Sequence, residues 1–264
     1  MKIKNLLMTG LVLCLGTAGM AQGQMDPKDI MKKSRDQSKL SGLESKTTLE
    51  INDGKGNQRM RVTTMASRIF PDGTEKRSIL FLSPADVKGT GILIWDFDGK
   101  EDNMWIYMPA LRKSRKIVSS EKSKNFMGSE FSNADLAVEN IDDFTYIMDG
   151  TETIDAQICW KIKVTPGTSQ IAAEYGISAK TTWISQKDFM PRKTLFLDPE
   201  GKPWKEMLFS GIKLMDTKAG KYFISQMEIR NLKNGRFSKM NMTDMVYNPN
   251  VKEEYFTLAF IEKQ

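Results

Sequence analysis

The sequence predicts a mainly β protein built on a curled antiparallel sheet. Roughly a dozen short segments with strand character follow one another from Leu43 onward, and turn residues separate them at short intervals. One helical segment precedes them, and no sequence repeat or low-complexity linker interrupts the series. Many sequential strands joined by tight turns are typical of sheets that curl towards a barrel.

The predicted helix begins at Asp26-Pro27. An aspartate can accept hydrogen bonds from the first free backbone N–H groups, and proline is favoured at the first helical position. Asp29 adds an acid in the first turn, and the polar run ends near Ser41-Gly42. We therefore expect a helix of about four turns before the first strand.

Turn signals fix the strand boundaries. Asp53-Gly54 and Gly56-Asn57 predict a hairpin, and Pro71-Asp72-Gly73 predicts the next turn. A short helix is expected near 133–139, and the tail, 252–260, is expected to form a helix or an edge segment. The predicted strands are residues 45–51, 58–70, 76–82, 90–97, 103–108, 112–119, 143–149, 156–165, 179–186, 192–197, 204–215, 222–232 and 236–248.

The polarity of the strands differs along the chain. Residues 58–64 alternate between apolar and polar, as expected for a strand with one buried face. Residues 79–82, 92–95 and 104–108 are apolar on both faces, so these strands need cover on each side.

The first residues read as an export signal. Lys2 and Lys4 precede an apolar run, residues 6–18, and Ala21 ends a small-residue cleavage site. The run is shorter than the about 20 residues that span a bilayer. Leu13 stands where lipoprotein processing at Cys14 needs a small residue. We therefore expect a signal peptide over 1–21 and a single domain over 22–264.

Composition excludes many catalytic mechanisms. The chain has no histidine, which removes His-based nucleophilic sites and most zinc sites. Cys159 alone remains after the signal, so no intrachain disulfide is expected and Cys159 should be a buried apolar residue. Removing Lys2 and Lys4 lowers the formal net charge from +6 to +4, and this mild excess does not indicate nucleic-acid binding.

Glycosidase chemistry needs two positioned acids and no histidine, so the carboxylates of this chain are candidates for it. Glu130, Asp135, Asp142 and Asp143 cluster in the sequence, but solvated or salt-bridged acids explain them equally well. No calcium-loop or phosphate-loop spacing occurs. We expect no catalytic residues, no metal and no cofactor.

The composition also favours an apolar cavity. Fifteen of the eighteen methionines follow the predicted signal, and methionine suits cavities that accept flexible chains. The loop at 125–131 places Phe126, Met127 and Phe131 beside a glycine, although loops normally face water. A basic segment, residues 112–116, is either a solvated edge strand or the border of the cavity mouth.

Two sequence motifs in this region resemble a known family. Residues 105–117 (WIYMPALRKSRKI) and 126–132 (FMGSEFS), followed by Asp135-Leu136, are similar to the outer-membrane lipoprotein-sorting protein family, periplasmic relatives of the carrier LolA. The resemblance implies an open, unclosed antiparallel sheet whose N-terminal and central helices cover its concave side and hold acyl chains. It also implies a periplasmic, non-enzymatic carrier of lipids or lipoproteins, beside an inner-membrane exporter of the RND type or an outer-membrane acceptor.

Candidate site residues follow from these patterns together. The expected cavity wall or gate and its polar rim comprise Ile79, Phe81, Trp95, Trp105, Tyr107, Phe126, Met127 and Phe131, with Arg112 and Arg115 at the rim. We expect a monomer. The alternative function is an envelope-stress sensor of the same architecture that binds a membrane-bound regulator.

Overall fold

The computed structural model describes residues 25–263, and the predicted signal peptide lies outside this range. Thirteen strands form one antiparallel sheet in the described part, so the predicted fold class is confirmed. The strands are β1 Gly42–Asn52, β2 Gln58–Ile69, β3 Glu75–Ser83, β4 Gly91–Asp96, β5 Asn103–Met108, β6 Lys113–Ile117, β7 Phe144–Ile154, β8 Gln157–Pro166, β9 Ala179–Ser185, β10 Pro191–Leu197, β11 Pro203–Asp216, β12 Lys221–Asn231 and β13 Phe237–Tyr247.

The sheet is a meander that folds back on itself. Strands β1 to β6 pair in sequence on one side, β7 to β13 do so on the other, and β1 pairs with β13 in the middle. Strands β6 and β7 are therefore the two edges, and the sheet does not close between them. Residues 118–143 connect these edges, so this long connection must cross the open part of the fold.

Helix α1, Pro27–Ser38, starts as the sequence predicts. The Asp26 carboxylate accepts a hydrogen bond from the Lys28 N–H at 2.8 Å, and Pro27 occupies the first turn. Ile30 and Ser34 are buried where the helix contacts β7, β9 and β12. The helix ends earlier than Ser41-Gly42 because the chain is already extended at Lys39. Among residues 25–263, no helix has the length and apolar character needed to cross a membrane.

The two faces of the β1–β6 half are covered differently. Even-numbered residues of β4, Ile92 and Ile94, face the concave side and its large apolar cluster. Leu93, which alternates with them, belongs to a second cluster on the outer face. The C-terminal segment covers this outer face with a short 3₁₀ turn, Glu253–Phe256, and helix α3, Leu258–Glu262. Cover on both sides explains why these strands are apolar on both faces.

Three sequence predictions need correction. The helix expected near 133–139 is a single 3₁₀ turn, Ala134–Leu136. Strand β6 is shorter than predicted at both ends, because Arg112 takes a left-handed conformation and a 3₁₀ turn begins at Ser119. Helix α2, Ser169–Tyr175, was missed, although Thr168 caps its start and Gly176 ends it. Cys159 is fully buried and free, as predicted.

We predict that Gly91→Ala destabilises the protein by displacing α3. A Cβ placed on Gly91 would lie 2.6 Å from the Cβ of Ile261, which is fully buried. Such overpacking costs about 1–3 kcal/mol of unfolding free energy, measured by urea denaturation. The cost of Gly91→Ala should be smaller in an Ile261→Gly background, because the Cβ of Ile261, the nearest clashing atom, is then absent. Equal costs in both backgrounds would contradict this explanation.

Candidate functional site

A cavity of about 230 Å³ lies on the concave side of the sheet. Its walls come from strands on both sides of the β1–β13 junction, from the end of α1 and from the central loop, residues 125–136. The lining residues are Ser38, Leu40, Leu43, Thr47, Leu49, Thr63, Met65, Ser67, Glu75, Arg77, Ile79, Phe81, Phe126, Phe131, Asp135, Leu136, Met207, Phe223, Ile224, Met227, Met240 and Met242. Most of these side chains are apolar, so the cavity favours apolar guests.

Strand alternation places the wall residues in register. Thr63 lies opposite Thr47 of β1 and Phe81 of β3, and Met65 lies opposite Ile79. Because neighbouring side chains on one face are close together, these rows form a continuous surface. Five lining residues are methionines, contributed by β2, β11, β12 and β13: Met65, Met207, Met227, Met240 and Met242.

The central loop forms a fixed wall of the cavity. Phe126 and Phe131 are 4% and 1% exposed, and the Phe126 ring lies 6.0 Å from the Phe81 ring. The Phe126 N–H donates to the Phe131 carbonyl oxygen at 2.7 Å, which closes the loop on itself. Asp135 accepts hydrogen bonds from the Ser132 N–H at 2.7 Å and from its hydroxyl at 2.8 Å. Both aromatic rings are therefore held inward as cavity wall.

Glu130 anchors this loop to the sheet. Its buried carboxylate forms a 2.7 Å ion pair with Arg236 Nε and accepts a 3.0 Å hydrogen bond from Asn231 Nδ2. Lys205 Nζ donates to the Glu130 carbonyl oxygen at 2.7 Å, and the Glu130 N–H donates to the Ser238 hydroxyl at 3.0 Å. Burial lowers the pKa of Lys205. Strands β11, β12 and β13 thus all contact one loop residue.

The cavity reaches the surface beside the end of α1. Ser38, the last residue of that helix, lines the cavity and is exposed, and Phe223 and Ile224 of β12 are half-buried there. Lys221 Nζ donates to the Asp36 carbonyl oxygen at 2.8 Å and joins β12 to the helix end. The cavity therefore meets the surface at Ser38, next to this contact between α1 and β12.

Glu75 and Arg77 line this cavity, and Glu75 also borders a separate small pocket that Asp96 and Asp102 line. Arg77 donates to the Leu136 carbonyl oxygen and pairs with Glu75 at 2.7 Å. Asp96 Oδ1 accepts from the Val138 N–H at 2.9 Å, whereas Oδ2 is buried without a hydrogen-bond partner among residues 25–263. Burial raises the pKa of Asp96 to about 6, and burial together with the nearby Asp96 raises that of Asp102 to about 7.

The structure brings part of the predicted site together. Ile79, Phe81, Phe126 and Phe131 line the cavity, while their role in ligand binding stays a prediction. Met127, with φ 49°, points into a neighbouring groove that Val87, Met108 and Leu111 also line. Arg112 and Arg115 are exposed on the edge of the sheet, and neither lines the cavity.

The predicted wall residues Trp95, Trp105 and Tyr107 need correction. They lie in the outer-face cluster, and the two indole rings are 5.1 Å apart under the C-terminal segment. Trp95 Nε1 donates to the Phe256 carbonyl oxygen at 3.2 Å. Their strands are apolar on both faces, so alternation alone could not show which residues face inward. The lining methionines of β11–β13 were not predicted individually, although the alternation of Met240 and Met242 is a usable signal.

The acids considered for glycosidase chemistry have other contacts. Glu130 and Asp135 hold the central loop, as described above. Asp142 forms a 2.7 Å ion pair with Lys28 of α1, and Asp143 accepts from Asn140 Nδ2 at 3.0 Å. These contacts give each carboxylate a structural role.

Solved structures define the class of protein to which this fold corresponds. A DUF1329 family protein from Desulfovibrio piger is 26% identical, with a TM-score of 0.81 over 90% of this chain and 100% of its own. A domain named for outer membrane lipoprotein sorting, from Vibrio parahaemolyticus, is 22% identical, with a TM-score of 0.80 over 89% and 98%. A LolA superfamily protein from Nitrosomonas europaea is 16% identical, with a TM-score of 0.67 over 90% and 100%.

The chain therefore has the open, curved sheet of LolA-like lipoprotein-sorting proteins, as its motifs indicate. Residues 73–263 match the model of a family described as "Uncharacterized protein"-like, and the chain belongs to that family. A comparison with curated proteins found no significant match.

We predict that Glu130→Ala detaches the central loop and lowers the unfolding free energy by about 3 kcal/mol. The substitution leaves Arg236 and the buried Lys205 without their acidic partner. Urea denaturation measures the loss, and Glu253→Ala, which replaces an exposed acid, serves as the control. Equal stability of the two variants would show that Glu130 does not anchor the loop.

We predict that stability falls as pH rises from about 5 to 8 through Asp96 and Asp102. Their folded pKa values lie above the ordinary carboxyl value, so the folded state binds more protons in this range. Deprotonation at higher pH is therefore unfavourable for the folded state. Asp102→Asn should reduce the loss of unfolding free energy between about pH 5 and pH 8 by about 2 kcal/mol. Urea denaturation at a series of pH values measures this loss. Asp98→Asn, on the same hairpin, should keep the wild-type slope; an unchanged slope in Asp102→Asn would refute the assignment.

Proposed function

We propose that this protein is a periplasmic carrier that binds acyl chains of a lipid or lipoprotein in the concave cavity and shuttles them between envelope membranes. The observation that carries the proposal is an apolar, methionine-rich cavity inside a sheet shared with lipoprotein-sorting proteins. The predicted signal peptide supports the periplasmic location, because it would direct export. Its cleavage would leave residues 22–264 as a single domain.

The size of the cavity suits part of a hydrocarbon chain. A volume of about 230 Å³ has room for on the order of fifteen water molecules. Burying about eight methylene groups there would contribute about 6 kcal/mol. Non-covalent burial is therefore sufficient for binding, and no reaction with the guest is required.

The wall combines adaptable and fixed parts. Methionine side chains are unbranched and change rotamer readily, so the β11–β13 wall can follow guests of different shape. Phe126 and Phe131 are held by the central loop, which Glu130 ties to the sheet. In this proposal the guest enters beside Ser38, between α1 and β12. An inner-membrane exporter of the RND type or an outer-membrane acceptor is the expected partner in transfer.

We predict that Met207→Trp weakens acyl binding by roughly tenfold. Met207 is buried and lines the cavity, so an indole there displaces about two methylene groups of the guest. Their loss costs about 1.6 kcal/mol of binding free energy. Titration with a fluorescent fatty acid measures the affinity. The next residue, Leu208, is 40% exposed and outside the cavity lining, which makes Leu208→Trp a matched control with wild-type affinity.

Two results would refute this proposal. One is that the wild-type protein binds no fatty acid. The other is that a folded Met207→Trp variant binds it as tightly as Leu208→Trp does. Circular dichroism and urea denaturation establish that both variants are folded. Lipid extraction from the purified protein and mass spectrometry would then identify the natural guest.

A further inference from the structure

One surface of the molecule carries a concentrated positive charge. Within residues 112–124 there are six cations and one acid, Glu121. Glu121 pairs with Arg115 at 2.7 Å and with Lys124 at 3.4 Å, and Lys122 pairs with Glu174 at 3.4 Å. One acid within the segment and one outside it therefore neutralise only part of its charge.

Three of these cations form no ion pair in the described part of the chain, although the Ser119 hydroxyl, Lys122 and Lys116 together lower the pKa of the nearby Glu101 carboxyl. Arg112, Lys113 and Lys116 are exposed, and none forms an ion pair with a residue in the part of the chain that the structure describes. They lie on or next to β6, a free edge of the sheet. Charged side chains on an edge strand also prevent association with other strands, but that purpose does not require exposed apolar neighbours.

Exposed aliphatic residues flank the same cations. Leu111 precedes β6 and is 65% exposed, and Val118 follows it and is 51% exposed. Leu111 borders the groove that also contains Met127 and the exposed Lys88. Cations interspersed with protruding apolar side chains are the combination that binds anionic lipid surfaces.

This surface is continuous with the cavity wall. Lys124 ends the basic segment, and Phe126, two residues later, lines the cavity. The Asn133 N–H donates to the Lys124 carbonyl oxygen at 3.0 Å, and Asn133 Nδ2 donates to the Glu121 carbonyl oxygen at 2.9 Å. A partner that binds the segment therefore lies next to the loop that encloses the guest.

We propose that residues 111–118, the basic edge, dock the protein on an anionic phospholipid surface. The proposal rests on the carrier function for its purpose and names the partner surface at which transfer occurs. Protruding aliphatic side chains at both ends of β6 favour a membrane over an acidic protein. Each cation near such a surface contributes about fivefold in affinity.

Vesicle co-sedimentation tests this surface with the purified protein. One set of vesicles contains phosphatidylglycerol and phosphatidylethanolamine, and the other contains phosphatidylcholine alone. Wild-type protein should bind the anionic set and release at about 1 M salt, where the screening length is about 3 Å. Combined Arg112→Gln, Lys113→Gln and Lys116→Gln should weaken binding on the order of 100-fold, and Leu111→Ser about fivefold.

A second triple variant controls for net charge. Lys163→Gln, Lys187→Gln and Lys218→Gln remove the same charge from exposed positions elsewhere and should keep wild-type binding. Equal losses in the two triple variants would reduce the effect to net charge and overturn the proposal. Wild-type protein that binds no anionic vesicle would also overturn it and leave an acidic protein as the partner.

The docking and carrier proposals fail separately. Met207→Trp changes the cavity and not the basic edge, so it should bind vesicles as the wild type does while binding the fatty acid more weakly. If the wild-type protein binds vesicles but no fatty acid, only the carrier function is refuted. Fatty-acid binding without vesicle binding would refute the basic edge alone.

Discussion

The buried carboxylate of Glu130 is the contact on which the interior depends. The sheet stays open between β6 and β7, so the connection between these edges must close the concave side. Phe126, Phe131 and Leu136 of this connection pack into the large apolar cluster on the concave side. Ion pairing and hydrogen bonds to β11, β12 and β13 fix it there. These contacts hold the loop in place as one wall of the cavity.

Much of the fold could be predicted from local patterns. Turn residues such as Asp53-Gly54 depend on neighbouring residues only, and the thirteen predicted segments correspond to the thirteen observed strands. The alternation in β2 predicted a strand but not its buried face, because Thr63 of the polar side lines the cavity and Met60 is 55% exposed. The pairing of β1 with β13 and the C-terminal cover over Leu93 depend on contacts between distant segments. Sequence patterns carry little information about such contacts, and the outer position of the tail was not foreseen.

The site was predictable only where composition and context agreed. Phe126 and Phe131 stood out because large apolar residues in a loop need cover, and both line the cavity. Trp95 and Trp105 looked similar in an apolar strand, but strands covered on both sides give no sign of which face is concave. Glu130 was considered for catalysis because its sequence neighbours are acidic. Its basic partners, Lys205 and Arg236, are far away in the sequence.

The distribution of rigidity around the cavity has a consequence for selectivity. One part of the wall, the central loop, is held by charged and hydrogen-bonded contacts at Glu130, and another part, on β11–β13, carries methionines that adapt at little cost. In the proposed carrier, an acyl guest would be positioned against the fixed part, and the methionines would take up differences in chain shape. Selection would then depend less on the hydrocarbon than on polar groups at the cavity, such as Glu75 and Arg77. This arrangement fits a carrier that accepts a class of acyl chains better than one that recognises a single lipid.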